Sequence, residues 1–177
     1  GGRHYGKMLK AVTPSIRAAD PSARVLIGGL LLTAPDYKDP YHVGLPQLFL
    51  EGILLGGGAP YFDVVPYHWY AWYYECTTYP NCTRVDYDNH GTEYWNSWGG
   101  GTIGKAAFLR KILAKYKVSK PLILNEAALG CKTGCEEGLL PEGFLQSQAD
   151  FLVRSGIRAL KVGVQQYYWF MLEENTW

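Results

Sequence analysis

The sequence predicts an α/β protein, a parallel sheet with covering helices, and three observations predict it. Amphipathic helical stretches and strand-like runs alternate strictly along the 177 residues. The strand-like runs are continuously apolar, as in strands buried on both faces. Long connections follow the strands, whereas the turns from helices back into strands (20–23, 56–61 and 117–120) are short. That asymmetry is the one found in a (β/α)8 barrel, where loops after the strands build the working face and the opposite end is structural. A doubly wound open sheet would carry a Gly-rich phosphate loop after its first strand, and Gly28-Gly29 is not that pattern.

Taken in order, Tyr5 to Ala19 reads as a helix with Met8, Leu9, Val12 and Ile16 at helical spacing, stopped by Asp20-Pro21. Arg24 to Leu31 is a short apolar strand. A loop with Pro35, Pro40 and Pro46 leads to a helix near 45–55, ended by Gly56-Gly57-Gly58. Phe62 to Tyr70 is the second strand, in which Pro66 predicts a bulge or an early end. Residues 71–101 form a long aromatic connection, and loops of that length are usually functional or disordered; its ring content argues against disorder. Thr102 caps a helix from Ile103 to Tyr116, with Phe108, Leu109, Ile112, Leu113 and Tyr116 on one face. The third strand is Pro121 to Ala128. A second Cys-containing loop precedes a helix near 142–155, with Phe144, Leu145, Ala149, Leu152 and Val153 as its apolar positions, and the last strand is read over 159–171.

The length suits one domain, and 47% hydrophobic residues can fill a core. A formal charge of +1 offers no electrostatic footprint for nucleic acid or a membrane surface, and no run reaches the roughly 20 apolar residues of a membrane span. Tyr and Trp are unusually many, 14 and 6. Without a basic surplus to hold phosphates, those rings fit the C–H faces of sugars better than bases. The start at Gly1-Gly2-Arg3 and the stop at Trp177 read as cut ends, so residues 1–177 are taken as one part of a longer domain. Cys76 with Cys82, and Cys131 with Cys135, fall into two local pairs. Two disulfide-closed loops suit that spacing; a four-cysteine zinc site and free thiols are the alternatives. Asn81-Cys82-Thr83 is a glycosylation sequon. Together these favour a secreted, extracellular protein.

The residues that could do chemistry sit at strand ends. Glu126 closes the third strand, a run that would otherwise carry no charge. It reads as a nucleophile or general base at a barrel mouth; the plainer reading is a capped or ion-paired strand end. His68 and Tyr70, two apart on the second strand, share a face and could hold a carboxylate by hydrogen bonding. Trp169 on the last strand could floor a sugar site, although a lone Trp is more often core. Trp72, Trp95 and Trp98 in the long connection could form sugar subsites, or pack as a self-contained lid. Asp63, Asp86, Asp88 and Glu93 read as solvated or capping groups, and Asp86-x-Asp88-x-His90 lacks the downstream Glu of a calcium loop.

The runs FDVVPYHWY, KPLILNEAAL and YYWF, with IRAADPSARVLIGGL before them, resemble the C-terminal half of a retaining (β/α)8 glycoside hydrolase of the large cellulase-like clan. The resemblance spans Tyr5 to the end and implies a partial TIM barrel of about the last four strand–helix units. It implies that Glu126 is the catalytic nucleophile, that His68 and Tyr70 orient it, and that Trp169 (Trp177 less well) lies beneath the sugar. The general acid/base of that clan is an Asn-Glu at the end of the fourth strand, which would precede Gly1. Asn125-Glu126 mimics that motif, but the His-bearing strand before it and the single strand after it fit the nucleophile position. The implied activity is hydrolysis of β-linked poly- or oligosaccharides by double displacement, with no cofactor or metal, and with the missing N-terminal half as a required partner. A carbohydrate-binding barrel without catalysis and a zinc-dependent hydrolase are the rival readings.

Overall fold

The computed structural model describes residues 1–32, 48–73, 85–89, 93–131, 140 and 142–171. The chain is mixed α/β. Among the described residues it has five helices, α1 (Gly2–Ala19), α2 (Phe49–Leu55), α3 (Glu93–Asn96), α4 (Gly101–Lys115) and α5 (Glu142–Lys161), and three strands, β1 (Val65–Tyr73), β2 (Leu122–Cys131) and β3 (Gln166–Trp169), in the chain order α1-α2-β1-α3-α4-β2-α5-β3. The strands form one parallel sheet in the order β1-β2-β3. The expected first strand contributes only two parallel bridges, Leu26 to Val64 and Leu30 to Tyr67, on the free edge of β1. The pairing breaks between those bridges, and the Pro66 ring nitrogen, which has no proton to donate, faces that gap. Pro66 therefore sits inside β1 without ending it.

The core lies between sheet and helices. Val65, Tyr67, Trp69 and Ala71 of β1 and Leu122, Leu124, Ala127 and Leu129 of β2 are buried against Leu109, Ile112 and Leu113 of α4 and Phe144 and Phe151 of α5. The predicted face of α4 is the buried one, but its cap differs. Asp88, from the long connection, accepts from the Thr102 backbone N–H at 3.0 Å and from its hydroxyl at 2.6 Å.

Two helices bury a different face from the one their apolar spacing predicts. In α1, Gly6, Leu9 and Thr13 are buried while Met8, Val12 and Ile16 are exposed. The reason is backbone proximity: Gly2 and Gly6 pack on Gly52 and Gly56, and a Cβ at Gly6 would lie 2.5 Å from the Ile53 carbonyl oxygen. In α5, Phe144, Phe151, Ser155 and Ala159 are buried while Leu145, Leu152, Val153, Ile157 and Leu160 are exposed. This helix also runs six residues past its expected end, to a turn in which Gly163 takes φ 70°. The last strand is correspondingly short. Among the described residues no helix is long and apolar enough to cross a membrane.

Candidate active site at the ends of the parallel strands

A single extra residue in β2 builds the site. Up to Tyr67↔Leu124 the two strands pair in step; the next pair is His68↔Glu126, so Asn125 is bulged out of register. Leu122 and Leu124 face the helices. Continued without interruption, that alternation would send Glu126 into the same apolar layer. The bulge reverses it. Ala127 and Leu129 take over the helix-facing role, both almost fully buried, and Glu126 emerges on the opposite face with 30% of its side chain exposed. The same face of β1 carries His68, Tyr70 and Trp72.

His68, Tyr70 and Glu126 are thus brought together as the sequence predicts. The Tyr70 hydroxyl donates to Glu126 Oε2. His68 Nδ1 lies 3.4 Å from the same oxygen. The Asn125 amide nitrogen lies 3.1 Å from His68 Nε2. With that nitrogen donating, Nε2 accepts and Nδ1 carries the proton toward Glu126. Burial lowers the His68 pKa; the Glu126 charge opposes this and the Lys105 charge adds to it. Burial and the bond to Glu126 push the Tyr70 pKa up. The carboxylate therefore receives the Tyr70 hydroxyl on Oε2, with the His68 imidazole beside the same oxygen, and among the described residues no donor on Oε1. No second carboxylate shares the site among the described residues. Asp63 bonds the Val25 N–H and Arg17, Asp86 and Asp88 engage Arg158, and Glu51 engages Lys115.

Three supports went unnoticed in the sequence. Gly29 lies against the imidazole so closely that a Cβ there would overlap it. Lys105 of α4, 3% exposed, donates to the Leu31 carbonyl at 2.5 Å and the His68 carbonyl at 2.9 Å, with Trp69 4.9 Å away as a cation–π partner. Its hidden amine ties the edge segment to β1 at the histidine. Burial brings its pKa down to about 7. Phe170 is the third: its ring meets Tyr70 edge-on at 6.2 Å.

The four tryptophans divide. Trp72 stays on the site face, over Gly130. Trp169 does not. It pairs with Ala127, beyond the bulge, and so faces α5, where its ring lies 6.1 Å from Phe151; the adjacent Phe170 takes the site side. Trp95 is buried and Trp98 half-buried, both edge-on against Phe108 of α4 at 5.6 and 5.8 Å, with Tyr94 between them. These two rings fill their own small core, and the structure does not bring them to Glu126. Cys131 ends β2 in a disulfide. Cys76, Cys82, Cys135, Asn81, His90 and Trp177 lie outside the described residues, as does the side chain of Glu93. Among the described residues no three of His, Cys, Asp and Glu come together as a metal site.

No family model matches the chain, and no curated protein matches it. Among solved structures it is similar to a glucosidase from Croceicoccus marinus, with a TM-score of 0.57 and 17% identity, covering 98% of this chain and 29% of the other. At that identity the likeness is one of fold. The chain spans less than a third of that neighbour's length, and its described strands take a glucosidase-like α/β arrangement.

Proposed function

We propose that the chain is the nucleophile half of a retaining glycoside hydrolase acting on β-linked sugars, folded as the last four units of a (β/α)8 barrel. The observation that carries the reading is the Asn125 bulge. It takes a carboxylate out of the apolar layer and sets it at the strand ends, with the Tyr70 hydroxyl and the His68 imidazole at one oxygen and, among the described residues, no lysine or arginine beside it. A carboxylate so placed keeps Oε1 for attack on an anomeric carbon, while Tyr70 and His68 fix the plane of the group through Oε2. The exposed apolar stripes of α1 and α5, the first and last helices, add support, since these are the faces that neighbouring barrel helices would cover. The glucosidase neighbour adds more.

In the reaction Glu126 forms the glycosyl ester as the leaving oxygen takes a proton, and water then breaks the ester. The proton comes from a general acid about 5–5.5 Å away, which we place on the part of the barrel outside these residues. Secretion, a Cys131–Cys135 link, a Cys76–Cys82 link and glycosylation at Asn81 belong to the same proposal.

The test is Glu126→Gln in the intact protein, assayed on an aryl β-glucoside. Turnover falls at least about a thousandfold, and mass spectrometry of the unmutated protein with a slow substrate finds a glycosyl ester on Glu126. Unchanged turnover would show that another group is the nucleophile. Tight sugar binding with no turnover in either protein would favour a carbohydrate-binding barrel.

A further inference from the structure

The bulge that turns Glu126 outward also places Asn125. That residue falls between the pairs Tyr67↔Leu124 and His68↔Glu126. Its amide reaches across to β1, where the nitrogen lies 3.1 Å from His68 Nε2. Gly29 lies against the same ring nitrogen and has no side chain to offer it. At the other end of the ring, Nδ1 lies 3.4 Å from Glu126 Oε2. Resting on the glycosidase reading, we infer that Asn125 is a positioning residue: by donating to Nε2 it holds the His68 proton on Nδ1, so that the imidazole stays a neutral neighbour of the nucleophile with its N–H toward Oε2.

The opposite arrangement has the amide turned over, and the charges at the site oppose it. With Oδ1 against Nε2, the ring would carry its proton on Nε2. A neutral imidazole would then aim a bare Nδ1 at a carboxylate, lone pair against charge. An imidazolium would relieve that clash. Burial and the Lys105 charge both work against a cation at His68, and the Glu126 charge favours it. A cation there would also take up the charge that Glu126 needs for attack.

The titratable groups around the ring, among the described residues, are Glu126 of β2, Tyr70 of its own strand and Lys105 of α4. The Tyr70 hydroxyl is engaged by Glu126, and the Lys105 amine by two carbonyls. Asn125 is thus the side chain that meets Nε2. Its own Oδ1 is buried without a hydrogen-bond partner among the described residues. A stranded acceptor costs free energy, and here it accompanies the work its nitrogen does.

The experiment is nitrogen NMR of the intact protein carrying isotope-labelled histidine, with His68→Gln to identify the His68 signals. At neutral pH the unmutated protein shows Nε2 bare and Nδ1 protonated. Asn125→Asp keeps the shape of the side chain but has no proton to give. Both ring nitrogens then face carboxylates, both carry protons, and His68 stays charged to higher pH. Turnover of an aryl β-glucoside by that variant falls at least about tenfold below about pH 6, and the deficit narrows as the imidazolium loses its proton. A proton on Nε2 in the unmutated protein, His68 signals unmoved by Asn125→Asp, or a deficit equal at every pH would overturn the positioning role and leave the glycosidase reading standing. The expected spectra with no turnover by the unmutated protein would overturn the glycosidase reading and leave the hold of Asn125 on the His68 proton supported.

Discussion

Two carboxylates reached from the same sheet, Asp88 and Glu126, are wired in opposite ways. Asp88 is fully buried. It accepts from the Thr102 backbone and hydroxyl and from Arg158 at 2.8 Å, and Arg158 also grips Asp86 through both oxygens at 2.8 and 2.5 Å. Every attraction available to a carboxylate is used: a helix N-terminus, a hydroxyl and a guanidinium. Glu126 meets no lysine or arginine among the described residues. Its partners are a phenol and an imidazole, both neutral, and part of it faces solvent. A carboxylate bound as Asp88 is bound cannot attack anything. One held as Glu126 is held has its direction fixed and its charge uncompensated. The comparison teaches that burial is not what distinguishes a working acid here; what its partners neutralise is.

The largest effect that tests this comparison is expected at Arg158. Its pairing is the leading cause of the lowered Asp86 pKa. Because that folded pKa lies below the unfolded one, the contribution is present at neutral pH and is lost as pH falls through the carboxylate range. Arg158→Met keeps the length of the stem, strands the buried Asp88 and frees Asp86. We expect a loss of about 3 kcal/mol, the lower part of the range for breaking a buried pair, because Arg158 and Asp86 are partly exposed. The urea midpoint measures it. A loss below about 1 kcal/mol would mean that water already screens the network, and the contrast with Glu126 would disappear.

Lys105 gives the next effect, as a slope. It is a buried cation whose partners are two carbonyls. Two donors are what a neutral amine has, so the contacts survive loss of the proton. With a folded pKa of about 7 against about 10.4 unfolded, the unfolded chain holds the extra proton between those values. Stability therefore rises with pH across that window, by up to about 1.4 kcal/mol per pH unit. The buried tyrosines titrate above it, Tyr167 at about 12. Lys105→Met lowers stability overall by orphaning two carbonyls, and it flattens the rise between pH 7 and 9. A rise of the same steepness in the variant would assign it to other groups and remove Lys105 as the buried charge beneath the histidine.

Much of the site was legible because polar residues interrupt apolar runs. Glu126, His68 and Tyr70 stand out at strand ends for that reason, and the alternation of helices and strands fixed the class. What could not be read is which way each residue faces. Alternation by twos holds along one strand and fails across a bulge, and the bulge at Asn125 is a matter of pairing with β1, not of β2 alone. It carried Glu126 to the site face, while Trp169, on the same side of β3 as Tyr167, stays with the helices. Lys105 looks like any helical lysine until Leu31 and His68 are folded over it. In α1 and α5 glycine, threonine and serine take the close contacts within this chain, and the larger apolar side chains stay exposed on the other face.

The smallest expected effect bears most directly on the comparison. Glu126→Gln, which should abolish turnover, should hardly change stability. The Tyr70 hydroxyl can donate to the amide oxygen as it did to the carboxylate, no cation is left unpaired among the described residues, and the side chain keeps its shape. A change under about 1 kcal/mol in either direction is expected, and a small gain would suit a group kept for function at the expense of the fold. Urea unfolding of the variant beside Arg158→Met makes the measurement. If Glu126→Gln cost as much as Arg158→Met, the carboxylate would be one more structural anion like Asp88, placed at the strand ends to hold Tyr70 and His68 together and not to react.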